Sequence, residues 1–226
     1  MGEHFARRRL LFGDFSELAQ LHLDRILAKQ GEKRIQIASA EGKPFTKGSA
    51  VANTASRVGD SYTYRELDLN TKAERRRFTS TVTGITDTEV AFDSGLITDL
   101  LGNEVRTRDG RRYTPRQIYP LDYALGKRWV TKFQITTNFG TGLMEMECHI
   151  AARESVTVPA GTFDAFRLEY RGVVVGTSAD GPVNSELKRW MAPDKVGRPV
   201  AVEDSRRTSR SVLQATRAEL VAFKQS

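Results

Sequence analysis

Glu145, Glu147 and His149 stand at alternate positions of one short run, LMEMECHI. Alternate residues of an extended strand share a face, and two carboxylates with an imidazole could grip a cation there. Metal sites usually draw their ligands from several elements, however, and Arg171 is expected directly opposite His149. The run therefore reads as a salt-bridged surface. Cys148 falls on the other, apolar face between Met146 and Ile150. No cation there would lower its pKa, which predicts a buried, inert thiol. Asp164 is expected on the apolar face beside a turn, where it would accept hydrogen bonds from turn amides. Asp87, Asp93, Asp99 and Asp109 lie in or beside turns, where Asp is common for its local hydrogen bonding. His4 and His22 complete the three histidines. There is no phosphate loop, nucleophile elbow or zinc signature. The sequence thus assigns no catalytic residue, no metal and no cofactor, and predicts a protein that is not an enzyme.

The elements that must position these residues are mostly strands. Val156–Phe166, VTVPAGTFDAF, carries the sharpest local signal. Pro159 suits the fixed φ of a type I turn, and Gly161 suits the left-handed position after it. A three-residue loop follows, with Val158 facing Thr162, Glu154 opposite Phe166, Ile150 opposite Tyr170 and Met146 opposite Val174. That register puts Met144, Met146, Cys148 and Ile150 on one face with Phe166, Leu168 and Tyr170; a slip of one residue would not. Phe133, Ile135, Thr137 and Phe139 alternate in the same way. Two-residue hairpin loops are expected at Leu101–Glu104 and Arg108–Arg111, from their Gly-Asn and Asp-Gly pairs.

Three spans emerge. Residues 1–31 carry an amphipathic helix centred on Asp14–Gln30, with Phe15, Ala19, Leu23, Ile26 and Leu27 on one stripe. Residues 32–57 read as an extended linker, polar and without period. Residues 58–224 read as an antiparallel β domain of short strands and frequent turn signals. The predicted fold is mainly β: an antiparallel meander curled into a half-barrel or open barrel, with one N-terminal α-helix.

The 226-residue chain has a formal net charge of +7, and its charged residues make up 28%. That balance admits anionic partners such as nucleic acid. The basic residues are dispersed beside acids, and no aromatics accompany the Arg106–Arg112 tip for base stacking, so nucleic acid is the weaker expectation. With one cysteine no intrachain disulfide can form. No run has the length of a transmembrane helix, and MGEHFARRRLLF lacks the apolar stretch of a secretory signal.

VTVPAGTFDAFRLE, the aromatic-ended strand RWMAP, the Gly-Arg-Pro-Val step, GKRW at Gly126–Trp129, and Val58-Gly59-Asp60 with Tyr62 and Tyr64 together resemble uncharacterised bacterial envelope β-domains of the DUF3108 type. These are broadly similar to the lipoprotein-carrier half-barrels of the LolA/LppX kind. The resemblance implies a periplasmic or envelope-associated, non-catalytic module whose concave face binds a lipid or a lipoprotein acyl chain. A cytoplasmic location remains open because no signal sequence is read in the chain. The expected lining residues are Phe133, Ile135, Phe139, Met144, Met146, Phe166, Leu168 and Tyr170. Two alternatives stand beside this: an interaction or scaffold domain with its helix filling the concave face and a protein partner outside, and a basic nucleic-acid binder. A cavity under the sheet is the feature that separates a carrier from a filled scaffold.

Overall fold

The computed structural model describes residues 49–138, 140–176 and 181–225. They form fourteen strands. The first eight are β1 (Ser49–Val51), β2 (Ser61–Asp68), β3 (Glu74–Ile85), β4 (Glu89–Phe92), β5 (Ile97–Asp99), β6 (Glu104–Arg106), β7 (Arg112–Tyr113) and β8 (Asp122–Ala124). The longer ones follow: β9 (Arg128–Thr137), β10 (Gly140–Val158), β11 (Gly161–Val175), β12 (Val183–Met191), β13 (Ala201–Arg207) and β14 (Val212–Lys224).

Twelve of these strands pair in the order β10-β11-β12-β13-β14-β2-β3-β4-β5-β6-β7-β9 and close on themselves, because β9 also pairs with β10. This corrects the expected half-barrel or open barrel. The closing seam is made by β7, where Arg112 and Tyr113 pair with Thr136 and Ile135 of β9. A strand of two residues has no period to read, so closure was invisible to pattern analysis. The expected N-terminal helix lies outside the described residues, and no helix occurs among them. β1 falls in the span read as linker and pairs with β8 as a separate two-stranded sheet.

The turns also differ from expectation. The Leu101–Glu104 and Arg108–Arg111 segments are not two-residue loops. The Asp99 amide donates to Asn103 O, and the Thr107 amide to Arg111 O, so three residues are enclosed each time. The third of them is a glycine with positive φ, Gly102 or Gly110. Conversely, only Pro159 and Ala160 separate Val158 from its partner Gly161. The register is then one residue off the expected one, with Arg153 rather than Glu154 opposite Phe166. A bulge between Ile150 and Ala152 shifts it again, so Ile150 faces Leu168 and His149 faces Glu169, not Arg171. An even total shift returns Met144, Met146, Cys148 and Ile150 to the face of Leu168 and Tyr170.

Inside and outside differ sharply. Outward residues form an ion-pair ladder across four strands: Arg65 to Glu219 at 2.8 Å, Arg217 to Glu203 at 2.8 Å, and Lys188 to Glu203 at 3.5 Å. A barrel that spans a membrane with its strands needs an apolar outer band, and this outer face is charged instead. No helix among the described residues is long and apolar enough to cross a membrane.

Candidate functional site: an arginine-rich cavity inside the barrel

Two segments block one end of the barrel. The first, residues 114–121, descends inside it after β7. It is fastened by polar contacts that its own backbone cannot satisfy in regular structure. The Tyr170 hydroxyl donates to Ile118 O at 3.0 Å, and the Trp129 indole N–H to Gln117 O at 2.8 Å. Buried Asn103 accepts from the amides of Ile118 at 2.7 Å and Tyr119 at 2.8 Å, while its own NH₂ donates to Asp99. The second segment is the connection between the adjacent antiparallel strands β12 and β13, residues 192–200. There the Tyr64 hydroxyl donates to Pro199 O at 2.7 Å.

Above this floor the barrel encloses a cavity of about 630 Å³, within the range of small-molecule sites. Its mouth lies toward the β2–β3 and β6–β7 loops, where Arg108 is exposed. Phe133 and Ile135 of β9, Met144 and Met146 of β10, and Val174 and Leu187 of β11 and β12 make an apolar wall. Four of the eight expected lining residues are thus in the cavity: Phe133, Ile135, Met144 and Met146. Phe166, Leu168 and Tyr170 share their apolar cluster but not the cavity. They are packed beneath it, Tyr170 bonded to Ile118 of the plug and the Phe166 ring 5.5 Å from that of Tyr123 on β8. Phe139 lies outside the described residues.

The opposite wall is polar and aromatic, and the sequence reading missed it. Arg76, Arg111, Arg116 and Arg206 reach in but have carboxylate partners: Glu66, Asp109, Glu104 and Asp204. Arg108, Arg189 and Arg198 also line the cavity and have no ion pair among the described residues. Arg108 lies 4.1 Å over the Phe78 ring and Arg198 5.1 Å over Phe92, the cation–π arrangement of weakly hydrated guanidinium groups. Arg189 donates through Nη1 to the carbonyls of Lys188 and Glu203, both at 3.1 Å. Inward parity was the available signal: Arg189 stands two residues after Leu187, and Arg206 two after Asp204, on strands that alternate inward and outward.

The electrostatics follow from this excess. Burial alone would raise the Glu104 carboxyl, but Arg116, Arg189 and Arg198 outweigh it and hold the group below the usual glutamate range. Burial, and then the Asp60 charge, push the Tyr62 hydroxyl up to about 12, with Arg198 opposing. Ser185 Oγ is buried in the cavity wall with no hydrogen-bond partner among the described residues, which costs free energy unless a ligand or solvent satisfies it.

The residues first considered for chemistry are dispersed. Cys148 is buried, and burial pushes its thiol well above the ordinary range. His149 sits on the outer side of β10, its pKa lowered by burial and by Arg128. Asp164 is on the outer face, not the apolar one, because burial changes sides between Ala165 and Phe166; it pairs with Arg153 at 2.8 Å. No group of acids, histidines and cysteines among the described residues could hold a metal.

No family model matches the chain, and no curated protein matches it. Three solved structures are similar at low identity. One is designated a "putative lipoprotein" from Parabacteroides distasonis (12% identity, 77% of this chain and 100% of that one, TM-score 0.46). Another is a "putative exported protein with YmcC-like fold" from Bacteroides fragilis (10%, 78% and 100%, TM-score 0.45). The third is the "hypothetical lipoprotein YmcC" from Escherichia coli (9%, 71% and 84%, TM-score 0.42).

Proposed function

We propose that this chain is a non-catalytic binding module that holds an apolar ligand, a lipid or a lipoprotein acyl chain, inside its barrel. The observation that carries this reading is the cavity of about 630 Å³ with a largely apolar wall on β9–β12. Packed interiors leave few voids larger than a water molecule, so a space of this size in a closed sheet is a structural commitment. Met144 and Met146 on that wall add unbranched, polarizable side chains that adapt to ligands of varied shape. A binding role without catalysis is supported by the scatter of Cys148, His149 and Asp164 away from the cavity. The cell envelope is the favoured compartment, supported by the sequence resemblance of the Val156–Glu169 hairpin and the Trp190–Val200 segment.

Native mass spectrometry of the purified chain tests the reading, with added long-chain amphiphiles where no ligand co-purifies. A discrete adduct is expected on the wild type and not on Ile135→Trp, which fills the mouth-side half of the apolar wall. A bare mass with every amphiphile, from protein shown to be folded, would sink the proposal.

A further inference from the structure

The lower part of the cavity carries more cation than its protein partners neutralise. Arg116, Arg189 and Arg198 line the space around Glu104; the other carboxylate acting on Arg189, Asp204, is paired with Arg206 at 2.7 Å. Arg116 is committed: its Nη2 lies 2.8 Å from Glu104 Oε2, its Nε donates to Glu104 O, and its guanidinium covers Tyr113. Arg198 makes no hydrogen bond among the described residues. Its Nη1 lies near Gly102, 3.3 Å from where a Cβ would stand, two residues from Glu104. Arg189 spends only Nη1 on carbonyls, leaving Nε and Nη2 without an acceptor among the described residues. Enclosed charge is costly unless paired, and guanidinium forks match carboxylate and phosphate oxygens.

We propose that the cavity floor is an anion subsite formed by Arg189 and Arg198, and that the ligand is an amphipathic acid. Its carboxylate or phosphate monoester sits on these two guanidinium groups, and its alkyl chain runs along Phe133, Met146 and Leu187 toward the mouth. This rests on the reading of the cavity as a site for an apolar ligand and adds the charge of the ligand's head. Glu104 has two opposed effects. It anchors Arg116 beneath the site, and it repels the incoming anion.

Four probes are titrated into the intact chain: myristate, a myristoyl lysophosphatidate, 1-tetradecanol and inorganic phosphate. Both acids are expected to bind at least about 10-fold, and up to about 100-fold, more tightly than the alcohol, as charge-assisted hydrogen bonds imply. Inorganic phosphate alone binds weakly, because it leaves the apolar wall bare. The better of the two acids identifies the head group. Arg198→Leu and Arg189→Met should each weaken the acids while leaving the alcohol unchanged, which also certifies that each variant keeps its cavity; Arg198→Lys should recover part of the loss. Glu104→Gln should tighten the acids. Equal binding of acid and alcohol to the wild type overturns the anion subsite and leaves the apolar site standing. Phosphate binding as tightly as the amphiphiles overturns the amphipathic ligand instead, by making the arginine pair a site for a free anion. No binding by any probe overturns the apolar site itself.

Discussion

Gly172 is where the packing of the barrel can be tested most sharply. It sits on the inward face of β11, directly opposite Met146 of β10. A Cβ built on it would collide with the carbonyl oxygen of Glu145 and come within 2.7 Å of Met146 Cγ and 3.1 Å of Met146 Cα. Two of these three atoms are backbone of a strand paired along fifteen positions, so neither can retreat alone. Overpacking usually costs about 1–3 kcal/mol, and a backbone obstruction belongs at the upper end. At roughly 2–4 °C per kcal/mol for a chain of this size, Gly172→Ala should lower the melting temperature by roughly 6–12 °C. Gly84→Ala is the control. Its nearest neighbour would be Ala91 Cβ at 4.0 Å, an ordinary contact, and losing a flexible glycine from the unfolded chain stabilises by about 0.4–1 kcal/mol where the backbone is compatible. Thermal unfolding followed by circular dichroism decides between them. In a Met146→Ala background the Gly172→Ala penalty should shrink, because Cγ is gone, but persist, because the Glu145 carbonyl remains. Equal melting temperatures for Gly172→Ala and Gly84→Ala would refute the reasoning.

Two other outcomes follow from groups already described. Cys148 should resist alkylation by iodoacetamide in the folded protein at pH 8 and react at once in denaturant, since burial both raises its pKa and hides it; mass spectrometry of intact protein reads the difference, and rapid native labelling would contradict the packing of β10. Glu104, held below its unfolded value, contributes stability that is present above the ordinary glutamate range and is lost as pH falls through its folded pKa. Urea unfolding at a series of pH values should therefore show wild type ahead of Glu104→Gln at pH 7, with the gap closing below about pH 4.5; a gap that widens in acid would mean that Arg116, Arg189 and Arg198 do not govern this carboxylate.

Much of the β architecture was legible because period-two patterning is local. Phe133, Met144 and Met146 were placed on one apolar face, and they share one. What escaped depends on contacts that carry no local signature. The bulge falls between Ile150 and Ala152, where Ala151 and Ala152 are small enough to pack acceptably on either face, so the slip it absorbs left no trace in the hydrophobic pattern. Phe166 and Tyr170 could not be told from cavity residues, because what packs on them is Tyr123 of the three-residue β8 and the irregular segment 114–121, whose position is set by Asn103 and Trp129. The basic residues were read as dispersed beside acids, with one tip at Arg106–Arg112. Arg108 does lie at a tip, but Arg189 and Arg198 are separated from Glu104 by more than eighty positions, and only closure of the barrel brings them to one space.

That closure also governs traffic. A half-barrel has two free margins, where a guest could slide in sideways or another chain could add a strand. In a sheet whose first and last strands are hydrogen-bonded to each other, neither route exists. With one end stoppered by residues 114–121 and 192–200, a guest of the proposed kind would have to thread through the other, leading end first, and leave in the reverse order. Delivery to another protein would then require mouth-to-mouth alignment, and the long guest's exchange rate would be set by the loops around Arg108 rather than by the wall that grips it.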